Sequence, residues 1–165
     1  MHDPLVITAM RLLLSVIVGG AVGINRDLRR KPAGVRTHAL VSLGTALMVI
    51  AVLPPGEDNT HRYDALSRVI QGVLTGIGFL GAGVILRDPE QRHVSGLTTA
   101  ATIWLTALLG AACGAGLYLA VVMAILLAFF VVAYGGRIER MFRRRFPPAH
   151  EATASADAED EGPPR

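Results

Sequence analysis

The chain has 165 residues, 52% of them hydrophobic, and a formal net charge of +3. That length allows one domain or one bundle with a tail, and its long charge-free apolar runs exclude the alternating faces of a soluble core. Aromatic residues are only 5% and the basic residues flank the apolar runs, so the expected partner is anionic lipid rather than nucleic acid.

The N-terminus lacks the positively charged start of a cleavable signal, so the first apolar run, Leu5 to Ile24 with Arg11 inside it, is expected to stay in the protein. Four more runs follow: about His38 to Leu53, Val69 to Leu86, Leu97 to Ala112, and Leu117 to Tyr134. A helix needs roughly 20 residues to cross a bilayer core of about 30 Å. The second and fourth runs reach that length with Thr37 and with the small residues up to Ala115. The last two runs would make one helix of roughly 57 Å at 1.5 Å per residue, so a turn is expected at Gly114 and Gly116.

Arg26, Arg29, Arg30, Lys31 and Arg36 follow the first run, Arg87 and Arg92 the third, and Arg137, Arg140, Arg143, Arg144 and Arg145 the fifth. After the second, Arg62 and Arg68 are offset by Glu57, Asp58 and Asp64. Every second loop is basic, which five spans with the N-terminus out and the C-terminus in require. The expected fold is an all-α polytopic bundle of about five transmembrane helices over residues 1–136. A basic juxtamembrane segment at 137–148 and a disordered acidic tail at 149–165 complete the chain.

The stretches GAVGINRDLRRKPAGVRTHA from Gly20 and GAGVILRDPEQRHVSGLTTAA from Gly81 echo each other, sharing Gly-Ala, Ile, Arg-Asp, Gly, Thr and Ala in order. Two readings stand: a parallel duplication of helix pairs, or chance similarity of Gly/Ala-rich segments.

GIGFLG at Gly76–Gly81 matches a dinucleotide fingerprint by letter. It lacks the preceding strand and soluble βαβ unit, so the match is rejected. Small residues that let helices approach are the better account. Gly72, Gly76 and Gly83 share one stripe, with Gly78 and Gly81 nearby. Gly19 with Gly23, and Gly110 with Gly114, repeat the spacing of four. Contact within the bundle is the first reading and dimerisation the alternative.

Asp64, Arg68, Gln71 and Thr75 share another helix face, extended by Ala82. Such groups should avoid lipid. They form either a structural ion pair near the surface, with Asp64 and Arg68 paired at i,i+4, or a polar pathway or ion site. Arg11 either snorkels to the outer surface or pairs with Asp64. Thr98, Thr102 and Thr106 make a hydroxyl stripe suited to bonding a neighbouring helix, and Trp104 is read as packing. Cys113, the single cysteine, is read as a small packing residue and allows no intrachain disulfide.

His2, His38, His61, His93 and His150 are scattered without zinc spacing. Mg²⁺ is usually held by one or two carboxylates and waters, which leaves Asp64 as the single candidate ligand. No nucleophile grouping appears, and neither an enzyme nor a cofactor is expected.

Three stretches, KPAGVRTHALVSLGTAL, SRVIQGVLTGIGFLGAGVIL and GLTTAATIWLTALLG, resemble the MgtC/SapB family of bacterial inner-membrane proteins. The resemblance runs from about Leu12 to Tyr134. It implies a five-helix membrane domain in the inner membrane, linked to growth at low magnesium and to survival in macrophages. It also implies a regulator of other membrane proteins, such as the F-type ATP synthase, rather than a Mg²⁺ pump. Lys31, Pro32, Gly34, Arg36, Thr37, Asp64, Arg68, Gln71, Gly76, Gly78, Gly81 and Gly83 fall on the family pattern. Two departures stand out. The family's G-x-E-R-E reads Gly23, Ile24, Asn25, Arg26, Asp27 here, one carboxylate short. Many members also carry a soluble ACT-like C-terminal domain where this chain has a basic stretch and a short tail. The expected partners are therefore the bilayer and another membrane protein, with homo-oligomers left open and a small ion or solute carrier as the second reading.

Overall fold

The computed structural model describes residues 3–58, 62–88 and 93–145. The tail at 149–165 lies outside them. Among the described residues, five helices are long and apolar enough to cross a membrane. They are α1 (Pro4–Leu28), α2 (Val35–Val52), α3 (Tyr63–Gly83), α4 (Leu97–Ala115) and α5 (Tyr118–Arg145). Five membrane-length helices bear out the expected bundle.

Two boundaries move most. α3 begins at Tyr63, six residues before the apolar run, because the polar residues Asp64, Ser67 and Arg68 continue the same backbone ladder. α5 runs to Arg145, so the helix carries the basic stretch beyond Tyr134. The loop after α3 also holds a small antiparallel ribbon. In it β1 (Leu86–Asp88) pairs with β2 (His93–Ser95), Arg87 opposite Val94.

Local chemistry sets the helix ends. Asp3 accepts the Leu5 N–H at 2.9 Å and Pro4 opens α1, where its missing N–H costs nothing. α4 stops at Gly116, whose φ of +78° favours glycine; Gly116 and Leu117 donate back to Cys113 and Ala112. The expected turn between the last two spans is therefore present. In the loop between α2 and α3, Arg62 pairs with Glu57 at 2.7 Å and reaches the Val52 carbonyl at the end of α2 at 3.3 Å.

Contacts divide the chain into a unit ending at Ile125 and another beginning at Leu126. In the first, α1, α2 and α4 form the core. Lipid gives no hydrophobic drive for helices to meet, so close approach between small residues has to supply the attraction. A Cβ on Gly19 would lie 2.5 Å from the His38 carbonyl oxygen, and one on Gly23 2.5 Å from Val35 Cα. Gly110 and Gly114 face Ser42 and Ala46 in the same way. The α1 and α4 glycines thus pack both helices against α2, as their spacing suggested. Ser15, His38, Ser42, Thr45, Thr99, Thr102 and Thr106 are buried here beside Val49, Ile103 and Ala107. Thr45, Thr102 and Thr106 satisfy their hydroxyls on carbonyls of their own helices. Cys113 is fully buried among Val18, Val22, Leu109 and Val121, as a packing residue should be.

The α4 hydroxyls are shifted from the expected stripe. Thr99, Thr102 and Thr106 are inside, while Thr98 is exposed. Trp104 also points outward, at 44% exposure, rather than packing inside. In the unit beyond Leu126, Phe130 and Tyr134 stack with centroids 4.9 Å apart, and the Arg137 guanidinium sits 5.9 Å from the Tyr134 ring. An aromatic beside a cation suits a lipid–water boundary.

Candidate functional site

α3 is the least embedded helix of its unit. It touches α4 where Gly81 meets Ala100, at 3.5 Å from a Cβ built on the glycine, and leans on α2 through Val73 and Ile77. Ile77 also packs against Ile103 and Ala107 of α4, and the face bearing Ser67, Gln71 and Thr75 is open. Asp64, Arg68, Gln71 and Thr75 are all exposed and form no ion pair among the described residues. Thr75 donates to the Gln71 carbonyl at 2.9 Å, and the Gln71 amide reaches the Ser67 hydroxyl at 3.4 Å. The i,i+4 pair of Asp64 and Arg68 does not form, whereas Arg62 pairs with Glu57 just before the helix.

The four residues stay on one broad face, with Arg68 at the edge nearer α2. Gln71 and Thr75 fall with Ser67, Gly78 and Ala82, all exposed, into a seam of small and polar groups along the length of α3. Arg68 turns with Gly72 and Gly76 toward α2. There it borders a groove of about 580 Å³, walled by Leu40, Gly44 and Met48 of α2 and by Val69, Val73 and Leu80 of α3.

The α3 glycines need a correction. Cβ atoms built on Gly72, Gly76, Gly78 and Gly83 meet nothing within 4 Å, so only Gly81 of that group packs inside the chain. Their spacing equals that of the α1 and α4 glycines. Gly72 and Gly76 open onto the groove beside α2, while Gly78 and Gly83 meet open space, so no helix of the fold comes close to any of the four.

Arg11 is also corrected. Its Nη1 donates to the Gly114 carbonyl at 2.8 Å, and its guanidinium lies against Gly116, at the C-terminal end of α4. A cation there offsets the partial negative charge of the last carbonyls. It pairs with α4 instead of Asp64.

The connection between α1 and α2 carries the motif Lys31, Pro32, Gly34, Arg36 and Thr37, whose charged residues are exposed. Asp27 reaches across it. One carboxylate oxygen accepts the Val35 N–H at 3.1 Å, and the other rests on Gly34, where any Cβ would collide with it. Asp27 therefore caps α2 from the preceding helix, which explains why Gly34 is glycine.

Behind this turn lies a buried polar cluster that the sequence reading missed. Arg26 is 3% exposed and donates to the Thr99 hydroxyl. His38 is fully buried, with Nδ1 3.0 Å from the Gly34 carbonyl; a carbonyl only accepts, so Nδ1 carries the proton. Arg26 Nε, His38 Nε2, Asn25 Oδ1 and Ser42 Oγ are buried without a partner. Arg-Asp recurs at 26–27 and 87–88 in the two echoing stretches, and that repetition was the available signal. The two stretches differ in structure: the second carries the β1–β2 ribbon, and Gly34 before α2 is extended whereas Gly96 before α4 has a φ of +90°.

Among the described residues, no group of three or more His, Cys, Asp or Glu side chains could hold a metal. Asp64 stands alone and exposed in the first turn of α3.

A family model described as the MgtC family matches residues 12–141. SrpB of Synechococcus elongatus is 50% identical over 67% of this chain and 64% of its own length. YhiD of Escherichia coli, whose name marks it provisionally as a magnesium transporter, is 43% identical over 66% of this chain and 51% of its own. MgtC of Salmonella typhimurium is 40% identical over 65% of this chain and 43% of its own. The chain thus spans about half the length of these relatives. No solved structure matches it. With the family model covering most of the chain and five membrane-length helices carrying the matched motifs, this is a multi-pass membrane protein of the MgtC family.

Proposed function

We propose that this chain acts without catalysis in the bacterial inner membrane, docking onto another membrane protein and modulating it during adaptation to low magnesium or stress. An ATP synthase or another pump is the kind of partner meant. One observation supports this above the others. Ser67, Gln71, Thr75, Gly78 and Ala82 form an exposed polar seam on a helix that the bilayer would otherwise surround. Hydroxyls and amides in hydrocarbon seek a second helix, and small residues let its backbone come close. The basic residues Arg29, Arg30 and Lys31, exposed at the α1–α2 turn, would hold headgroups or the partner on the cytoplasmic side. That orientation, N-terminus out, follows the charge bias of the loops.

Photocrosslinkers at Gln71 and Thr75 should give one discrete adduct in intact membranes, and crosslinkers at the exposed Leu13 and Ile17 of α1 should not. The adduct should contain an energy-coupling or ion-pumping membrane protein and should fade in Thr75→Leu. Identical yields from all four positions would remove the basis for the seam.

A second reading, carriage of Mg²⁺ or protons along Asp64, Arg68, Gln71 and Thr75, draws support from the provisional name of YhiD. Reconstituted chain would then show flux that is lost in Asp64→Asn. With docking as the function, wild type and variant alike carry none.

A further inference from the structure

The groove between α2 and α3 adjoins the seam at Arg68 but runs around α3 from it along Gly72, Val73, Gly76 and Leu80, so its occupant is a separate matter from the docked partner. Its walls are apolar side chains opened by two glycine steps on α3, Gly72 and Gly76, and one on α2, Gly44. A Cβ on any of the three would meet only open space. From Arg68 to Leu80 the groove runs twelve residues, about 18 Å at 1.5 Å per residue. A leaflet of hydrocarbon is about 15 Å deep, half of a roughly 30 Å core. The groove thus has the depth of a single leaflet, which suits an acyl chain. A transmembrane helix would need about twice that length.

Arg68 at the groove's edge and Asp64 one helical turn beyond the lining define the headgroup. Arg68 lines the groove and is exposed, with no carboxylate paired to it among the described residues. Asp64 stands one turn nearer the start of α3, also exposed and in no ion pair among the described residues, so it lies closer to the end of the span than Arg68. In an aminophospholipid the phosphate is the deeper charge and the ammonium the outer one. The order matches: guanidinium against phosphate, carboxylate against ammonium, one helical turn of about 5.4 Å apart. A headgroup that is only anionic would satisfy Arg68 and be repelled by Asp64.

We infer that the α2–α3 groove is a binding site for a phosphatidylethanolamine-type lipid, with an acyl chain between Gly44 and Gly76, its phosphate on Arg68 and its ammonium on Asp64.

Native mass spectrometry of the full chain in detergent, with phosphatidylethanolamine, phosphatidylglycerol or diacylglycerol added, tests this. Wild type should retain phosphatidylethanolamine over both competitors. Arg68→Gln should lower that retention roughly tenfold or more, the scale of a lost hydrogen bond to a charged group. Asp64→Asn should erase the preference for phosphatidylethanolamine over phosphatidylglycerol while keeping both bound. Filling the groove from α3 with Gly72→Leu plus Gly76→Leu, or from α2 with Gly44→Leu, should expel lipid from a chain that stays helical and monodisperse. The inference fails if the three lipids are retained equally, if Arg68→Gln binds like wild type, or if either filled groove still holds lipid. It fails equally if wild type runs as a dimer that the filled grooves split, since the occupant is then a second copy.

Discussion

Leucine at Gly110 or Gly114 should dismantle the folded domain, whereas leucine at Gly72 or Gly76 should leave its stability almost unchanged. At Gly110 a new Cβ collides with the carbonyl of Ser42, and at Gly114 it lies 2.6 Å from that of Ala46. Both obstacles are backbone in the middle of α2, so the helices must part rather than a side chain turn aside. Overpacking against movable side chains costs about 1–3 kcal/mol, and a collision with backbone should exceed about 3 kcal/mol. At Gly72 and Gly76 nothing lies within 4 Å. Leucine there also gains roughly 0.5–1 kcal/mol of helix propensity over glycine, so the net change should be zero or slightly stabilising. Unfolding in a graded denaturing detergent, followed by circular dichroism, separates the cases. Equal destabilisation at all four sites would mean that α3 is packed as tightly as α4.

The second large effect concerns Arg11. Arg11→Met removes the 2.8 Å bond to the Gly114 carbonyl and the cation at the end of α4, and should cost about 1.5–3 kcal/mol, the range for a bond to a charged group. Arg11→Asp should be worse, because a carboxylate would face the carbonyls that Arg11 now satisfies. Adding Asp64→Arg should not restore the loss. Measured as a double-mutant cycle, the coupling between positions 11 and 64 should stay within about 0.5 kcal/mol of zero, as for independent sites. A coupling above about 1 kcal/mol would restore the Arg11–Asp64 pair in place of the one with α4.

The five spans were legible because apolar runs of membrane length have few other fates, and the turn at Gly116 because only a residue comfortable at positive φ ends α4 there. The start of α3 was not legible. Hydropathy ends where charge begins, but the backbone ladder continues through Asp64 and Arg68 to Tyr63. The glycines mark the sharper limit. A spacing of four makes a flat helix face, and the same pattern meets α2 from Gly19, Gly23, Gly110 and Gly114 yet meets nothing from Gly72 and Gly76. Spacing describes one surface and leaves its neighbour open. Arg26 and His38 were assigned to a basic loop and to a set of scattered histidines. Their burial depends on α1, α2 and α4 converging, a three-body fact that no local window holds.

The sole thiol of the molecule is sealed inside the junction of α1, α4 and the start of α5. The native chain is therefore its own dark background for maleimide dyes. A cysteine placed at either end will report its side of the bilayer without first removing Cys113. Conversely, when wild type begins to take up dye, the onset of labelling times the separation of those helices.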